Sequence, residues 1–439
     1  MELSRFNFTY EYVYNLIEKG VIEDINKVVP VMGGLTLLHI ATFNNDKKLV
    51  DYLLRKKADV HSKSQYWGTV LHTAVIMEYL AITESLINYG ADVNAQLFVP
   101  FYVTRFQYAV VKNDEEIPEF LLKRDDDVST ILNQYEWCLA RTALQIAVDR
   151  NNEKMVELLL KSNADPNLDP HLDGRLLMIR AIIKGNLLIT ELLLAYGADV
   201  NIEGGYLSPE RSALHFAAEC RNSKAVELIL NDSMVDINRV EVCKNSALHY
   251  AVIKKDDDII RQLLNAGVDI NLKNVDGETA FTLKIIHLQK LNDTFTEHIA
   301  KLSAANFYVS KENLAVVNSE KFGELRDQCL SEIKKMKITY VGTSNVTIYN
   351  VLCNKCEHKL AVSLSYVSDS TIPDLDMQSL FPLYGGMISY RLKKALGRKK
   401  LLVNAISLTN DIFDEIKLPS TITRDIFKLL TNKDLKKLQ

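Results

Sequence analysis

Hydrophobic and polar positions follow a two-part pattern that returns throughout the first two thirds of the chain. The first part is a six-residue block headed by a hydroxyl: TLLHIA from Thr36, TVLHTA from Thr69, TALQIA from Thr142, SALHFA from Ser212 and SALHYA from Ser246. Weaker copies stand at TRFQYA from Thr104, LLMIRA from Leu176 and TAFTLK from Thr279, so the blocks follow one another every 33 to 38 residues. The second part lies further on in each period and reads LVDYLLRKKADVH, ITESLINYGADVN, MVELLLKSNADPN, ITELLLAYGADVN, AVELILNDSMVDIN and IIRQLLNAGVDIN. Its apolar positions, such as Val156, Leu159 and Leu160 or Ile260, Leu263 and Leu264, have the i, i+3, i+4 spacing of one buried helical stripe. Gly90, Gly197 and Gly267 fall where such a helix would end in a left-handed residue, which glycine adopts without steric cost. The pattern predicts a helix pair per period, and a fixed period predicts stacked units instead of one globular core.

Each block has a mechanical reading. A Thr or Ser ahead of an apolar run caps the first helix by accepting a hydrogen bond from an orphan backbone amide. His39, His72, His215 and His249 hold the fourth position of the block. Histidines one period apart lie on neighbouring units and cannot converge on one ion, so they are read as bonding adjacent hairpins, with no metal site. These features resemble the ankyrin-repeat family, whose units are a helix pair and a β-hairpin loop. The expected architecture is an all-α ankyrin-repeat solenoid: an N-terminal capping repeat at 1–31, then about eight repeats over 32–289, irregular at 98–141. The irregular stretch includes KRDDDVSTILNQYEWCLA from Lys123, which reads as an expansion on the loop face, where binding residues concentrate. Arrays of this family bind proteins through hairpin tips and the concave face. The aromatic loop residues Tyr66, Trp67, Phe98, Phe101 and Tyr206 are therefore candidates for target contact, with core packing the competing reading.

After Gln289 the repetition fades. Residues 290–322 read as a helical cap or linker, and 323–439 as a separate helical module containing QCLSEIKKMK, NVTIYNVL and LFPLYGGMI. NVTIYNVL suits a strand or a helix. The final segment, LPSTITRDIFKLLTNKDLKKL from Leu418, resembles the opening of an F-box. Pro419 can begin a helix, Ile422, Ile426, Phe427 and Leu430 form its apolar stripe, and a second short helix carries Leu435 and Leu438.

Ankyrin repeats followed by a truncated F-box, here at 416–439, resemble the poxvirus ankyrin proteins with a PRANC domain, an arrangement also found in some parasitoid wasps and intracellular bacteria. That resemblance implies docking on the adaptor subunit of a cullin-RING, SCF-type ubiquitin ligase through Leu418, Pro419, Ile422, Ile426, Phe427, Leu430, Leu435 and Leu438. It further implies that the repeats hold an unidentified host protein, to counter host defence, in the cytoplasm or nucleus of a host cell. A short helix pair cannot bury its stripe on itself and needs a partner surface, whether a ligase subunit or the rest of its own module. The competing reading is an ankyrin-type binder that sequesters a signalling or transcription factor without ubiquitin. A scaffold joining two host proteins is the third.

Composition narrows the remaining choices. With 439 residues, 47% hydrophobic and 25% charged, the chain should fold throughout, and a net charge of -4 gives no global argument for nucleic acid or an anionic membrane. No basic n-region and apolar h-region open the chain, no stretch approaches a membrane span, and six scattered cysteines suit a reducing compartment. On this reading the sequons at Asn7 and Asn345 are chance matches. Cys353, Cys356 and His358 in CNKCEH have zinc-like spacing without a second ligand pair nearby. RLKKALGRKK from Arg391 reads as a solvated helix face. The glycine pairs at Gly204 and Gly385 read as turns, and neither a phosphate loop nor a nucleophile with its base is found. The expectation is a receptor with no catalytic residues and no cofactor.

Overall fold

The structure is a computed structural model. It describes residues 10–28, 34–65, 67–100, 138–168, 177–201, 211–232, 235–283, 289–317, 319–342, 344–354, 357–364 and 376–416, without the side chains of 98–100, 138–141, 289–292, 319–320, 357–358 and 404–416. Two compact units divide the chain, Met1–Ala198 and Asp199–Gln439.

The first unit opens with helix α1 (Tyr10–Glu18) and then repeats a helix pair: α2 (Leu37–Phe43) with α3 (Lys47–Arg55), α4 (Val70–Ile76) with α5 (Leu80–Asn88), α6 (Ala143–Asp149) with α7 (Glu153–Lys161), and α8 (Leu177–Lys184) with α9 (Leu187–Ala195). A two-residue hairpin, β1 (Lys63–Ser64) with β2 (Gly68–Thr69), joins the first two pairs. Thr36, Thr69 and Thr142 are the N-caps of α2, α4 and α6, each accepting a hydrogen bond from the amide three residues on. The stop signals hold as well, with Gly90 at φ 88° and Gly197 at φ 84°.

Strands β3 (Gln96–Pro100) and β4 (Cys138–Thr142) pair antiparallel, Gln96 facing Thr142 and Pro100 facing Cys138. Helix α4 packs on α6, and α5 on α7. Asn94 accepts from the Asp165 amide at 2.8 Å and donates to the Asn163 carbonyl at 3.3 Å. The repeats headed by Thr69 and Thr142 therefore pack directly on each other. Residues 101–137, with the block at Thr104 among them, lie outside the described residues.

The second unit carries two further helix pairs, α10 (Ala213–Glu219) with α11 (Ser223–Asn231) and α12 (Ala247–Lys254) with α13 (Asp257–Ala266). Beyond them come α14 (Gln289–Ala304), α15 (Lys311–Ala315) and α16 (Ser319–Ile338), then α17 (Ile348–Cys353), α18 (Glu357–Ser363), α19 (Met377–Leu380) and the long α20 (Gly385–Ile416). The NVTIYNVL segment is helical, α17 starting from the N-cap Thr347. One apolar core holds Ala300, Cys329, Met336, Ile348, Leu364, Tyr384 and Ala395, which joins α14 and α16 to the helices that follow.

The periodic architecture continues past its last recognised block. SKENLA from Ser310 obeys the block template with asparagine at the fourth position. Ser310 caps α15 by accepting from the Asn313 amide at 3.3 Å. The Asn313 side chain, fully buried, accepts from the Thr279 hydroxyl at 2.6 Å and donates to the Ile270 carbonyl at 2.9 Å. A ladder of asparagines marks the stacking: Asn201 accepts from the Asp236 amide, Asn238 from Asp269 and Asn271 from Ser310, each at 2.7 Å. Segment 289–317 is thus laid on the preceding repeat by the device that joins the repeats to one another.

Candidate binding surfaces

The block histidines do mechanical work. In α2, α10 and α12 the imidazole Nδ1 accepts from the backbone amide of the capping residue, Thr36, Ser212 or Ser246, at 3.4, 3.1 and 3.1 Å. Their Nε2–H groups donate to carbonyls of the next hairpin, Gly68 at 3.2 Å, Asn245 at 3.2 Å and Glu278 at 3.3 Å. Gln145 makes the same two bonds, accepting from the Thr142 amide at 2.9 Å and donating to the Leu168 carbonyl at 3.4 Å. An amide that replaces an imidazole without change of partners identifies the position as a hydrogen-bond bridge. Both ring nitrogens are committed in the neutral form, and burial holds His39 and His215 near pKa 4, with His249 also lowered.

The fifth position of the block is buried at Ile40, Thr73 and Ile146 but reaches solvent further along the chain. In the second unit it is Phe216 and Tyr250, both half-buried. The Arg211 guanidinium lies 4.5 Å from one ring centroid and 4.6 Å from the other, and pairs with Glu219. Cation and rings form one adhesive patch, since a guanidinium is drawn to aromatic faces and aromatic area is costly to leave wet. In the first unit the corresponding Arg180 grips Asp149 with two bonds of 2.8 and 2.7 Å, and Arg150 reaches Glu78 at 3.4 Å. At the hairpin tips Val242 and Val275 are exposed, and the Val275 amide donates to the Cys243 carbonyl at 3.0 Å, stacking one tip on the next. The sequence reading missed both surfaces because it ranked loop aromatics and left the variable position inside the block unused.

Of the aromatic candidates, Trp67 must be reassigned. It is fully buried, edge-on to Phe43 with centroids 4.6 Å apart, so it packs the joint between two repeats and presents nothing to a partner. Phe98 lies on β3, while Tyr66, Phe101 and Tyr206 fall outside the described residues. So do Leu418, Pro419, Ile422, Ile426, Phe427, Leu430, Leu435 and Leu438, together with Cys356 of the CNKCEH motif. Cys353 is half-buried at the end of α17.

The helix leading to the C-terminal segment is firmly seated. Tyr390 on α20 donates its hydroxyl to the Leu230 carbonyl at 3.1 Å, and Lys394 its ammonium to the Asp232 carbonyl at 2.6 Å, both at the end of α11. A Cβ on Gly386 would lie 2.6 Å from the Asn265 side-chain amide of α13, which is how closely the two helices meet. Tyr384 donates to the Lys301 carbonyl at 2.7 Å, and Glu332 accepts from the Leu383 amide at 3.1 Å. This seating corrects the reading of the basic run as a solvated face. Lys394, Arg398 and Lys399 are 8%, 7% and 8% exposed, and only Lys393 and Lys400 among the run's cations face water. Long cationic stems cover apolar surface, and here the Lys394 and Arg391 heads donate to the Asp232 and Asn354 carbonyls. No helix among the described residues is long and apolar enough to cross a membrane.

Comparison with known proteins agrees with this geometry. The ankyrin-repeats profile matches in three copies, at residues 1–96, 106–204 and 205–274, and the PRANC domain profile matches residues 343–439. The chain belongs to the ankyrin-repeat family and carries a PRANC domain after its repeats. An ankyrin repeat protein of Fowlpox virus (strain NVSL) is 29% identical over 170 residues, which are 37% of this chain and 47% of that protein. Another from the same virus is 28% identical over 450 residues, 83% of this chain and 90% of that protein. Among solved structures, the crystal structure of the ankyrin repeat domain of Bcl-3 is 22% identical, covers 59% of this chain and 97% of its own, and superposes with a TM-score of 0.43. The chain spans about half or less of the length of the first curated relatives it matches. Both kinds of module are protein-interaction modules without chemistry of their own, and the partners they imply are proteins.

Proposed function

We propose that this chain recruits a substrate to a cullin-RING, SCF-type ubiquitin ligase. On this reading the repeats hold a host protein, and the segment from Leu418 docks on the ligase adaptor subunit. The observation that carries it is the pairing of ankyrin repeats with a PRANC domain in one chain, the second being F-box-like. The seating of α20 on the last repeats supports it: a receptor must hold target and enzyme at a working separation, and proximity is what such a receptor supplies. The target surface is assigned to the Arg211, Phe216 and Tyr250 patch with the Val242 and Val275 tips. Action inside a host cell, in the cytoplasm or nucleus, belongs to the same proposal.

The test is affinity purification of the full chain beside a version ending at Glu415, scored for adaptor and cullin subunits. Recovery with the full chain alone is the expected result. Absence from both overturns the reading and leaves sequestration by the repeats.

A further inference from the structure

Within the second unit a cleft of about 490 Å³ opens between the hairpin after α13, the end of α14 and α20. That volume suits a small ligand or a short peptide segment. Leu302, Phe307 and Met387 line it with apolar surface, and Arg391 and Lys394, one helical turn apart on α20, bring two cations to it. Asp269 is the one carboxylate lining it among the described residues, and it already accepts from the Asn271 amide at 2.9 Å and side chain at 3.0 Å.

Two polar groups at the cleft have a donor to offer, one of them buried and the other exposed to solvent. His298 is 4% exposed, and neither ring nitrogen has a hydrogen-bond partner among the described residues. Burial and the Lys301 charge push its pKa down to about 3, so it stays neutral and offers one N–H donor. Asn238 is the other. Along the ladder Asn94, Asn167 and Asn271 donate Nδ2–H to carbonyls of the following hairpin at 3.3, 2.9 and 3.2 Å. Asn238 keeps its oxygen on the Asp269 amide at 2.7 Å, but its nitrogen has no such bond among the described residues. Arg391 enters there, its Nη2 lying 3.5 Å from where a Cβ on Gly267 would sit, while Nη1 donates to the Asn354 carbonyl at 3.0 Å.

We propose that this cleft binds an organic carboxylate on an apolar stem, the carboxylate held by the Arg391 guanidinium and the Asn238 amide, the stem laid on Leu302, Phe307 and Met387. The guanidinium fork matches a carboxylate, and an uncharged imidazole at the floor adds a donor without a charge to desolvate. None of the cleft's lining residues belongs to the segment after Leu418, and the proposal does not rest on ligase recruitment.

The experiment uses the full chain labelled with ¹³C at methionine methyls, with the Met387 resonance as reporter. Hexanoate, 1-hexanol and a blocked Leu-Glu-Leu tripeptide are titrated in turn. A saturable shift of Met387 with a carboxylate probe is expected, with hexanol about tenfold weaker or worse because it lacks the charge. Tighter binding of the peptide than of hexanoate points to a protein-borne acid, the reverse to a free one. Silence of Met387 toward both carboxylates, or hexanol binding as well as hexanoate, overturns the proposal. Arg391→Gln should weaken hexanoate about tenfold while the other methionine resonances stay in place. Unchanged affinity in that variant overturns it too.

Discussion

Replacing Asn313 with alanine tests whether the unrecognised block at Ser310 is an energetic part of the stack. The side chain is fully buried and bonds to three groups of the preceding repeat, the Thr279 hydroxyl, the Ile270 carbonyl and, at 3.3 Å, the Asn271 side-chain oxygen, which keeps its bond from the Ser310 amide when the donor is lost. Without it the Thr279 hydroxyl falls back on Thr282, 3.1 Å away, at a cost of about 1 kcal/mol, whereas the buried Ile270 carbonyl loses its donor at a cost of about 2 kcal/mol. The sum, about 3 kcal/mol, corresponds to a fall in melting temperature of roughly 6–12 °C for a folding unit of this size. Urea unfolding followed by circular dichroism gives the free energy. Hydrogen exchange on peptides covering 266–280 and 305–317 localises it, and protection should fall in both together. Asn313→Asp should be worse at neutral pH, because it keeps the acceptor, loses the donor and buries a charge. A loss below about 0.5 kcal/mol for Asn313→Ala, or exchange that rises only in 305–317, would refute the claim that this segment is stacked as a repeat.

Three further outcomes are expected. Trp67→Ala should cost about 3–5 kcal/mol through the cavity left beside Phe43, yet leave partner affinity unchanged at temperatures where the variant is folded, and calorimetry reads both. His39 and His215 titrate near pH 4 when folded and near 6.5 when unfolded, so the unfolded chain binds protons first as pH falls. Their contribution is present above about pH 7 and is lost between 6.5 and 4. Urea midpoints should show about 2 kcal/mol lost per histidine at pH 5, a slope that His39→Gln and His215→Gln should flatten. Gly385→Ala places a Cβ 2.5 Å from the Met377 carbonyl oxygen and 2.6 Å from the Gln378 Cα, both backbone. Thermal melts should show about 1–3 kcal/mol of destabilisation, where an ordinary helical Gly→Ala change stabilises.

The helix pairs, their hydroxyl caps and their glycine stops were legible because each is local: a period, a cap and a left-handed residue lie within one short window of sequence. What stayed hidden depends on pairing at a distance. The contact between the repeats at Thr69 and Thr142 rests on the registration of Gln96 with Thr142, partners too far apart in sequence for a local window to show. SKENLA escaped notice because Lys311 and Glu312 occupy positions that are apolar in the other blocks, although Ser310, Asn313 and Ala315 carry its mechanics. Trp67 looked like a loop aromatic by its place in sequence, but it directly precedes β2 and is buried edge-on against Phe43, a partner more than twenty residues away. The basic run misled in the opposite direction, since charge alone does not disclose that carbonyl oxygens of α11 await a lysine.

The bond from Lys394 to the end of α11, with the close approach of Gly386 to Asn265, turns α20 from a tether into a bracket. A flexible link samples a volume and lets any accessible lysine of a cargo drift into reach. A bracket fixes an angle. Under the proposed function, selectivity would then extend beyond which protein is held to which face of it is presented, and the spacing between the last repeats and Ile416 would act as a gauge. Adding one residue within α20 would rotate everything beyond it by about 100° and advance it by about 1.5 Å. Such an insertion would leave both binding surfaces intact and change only what they offer each other.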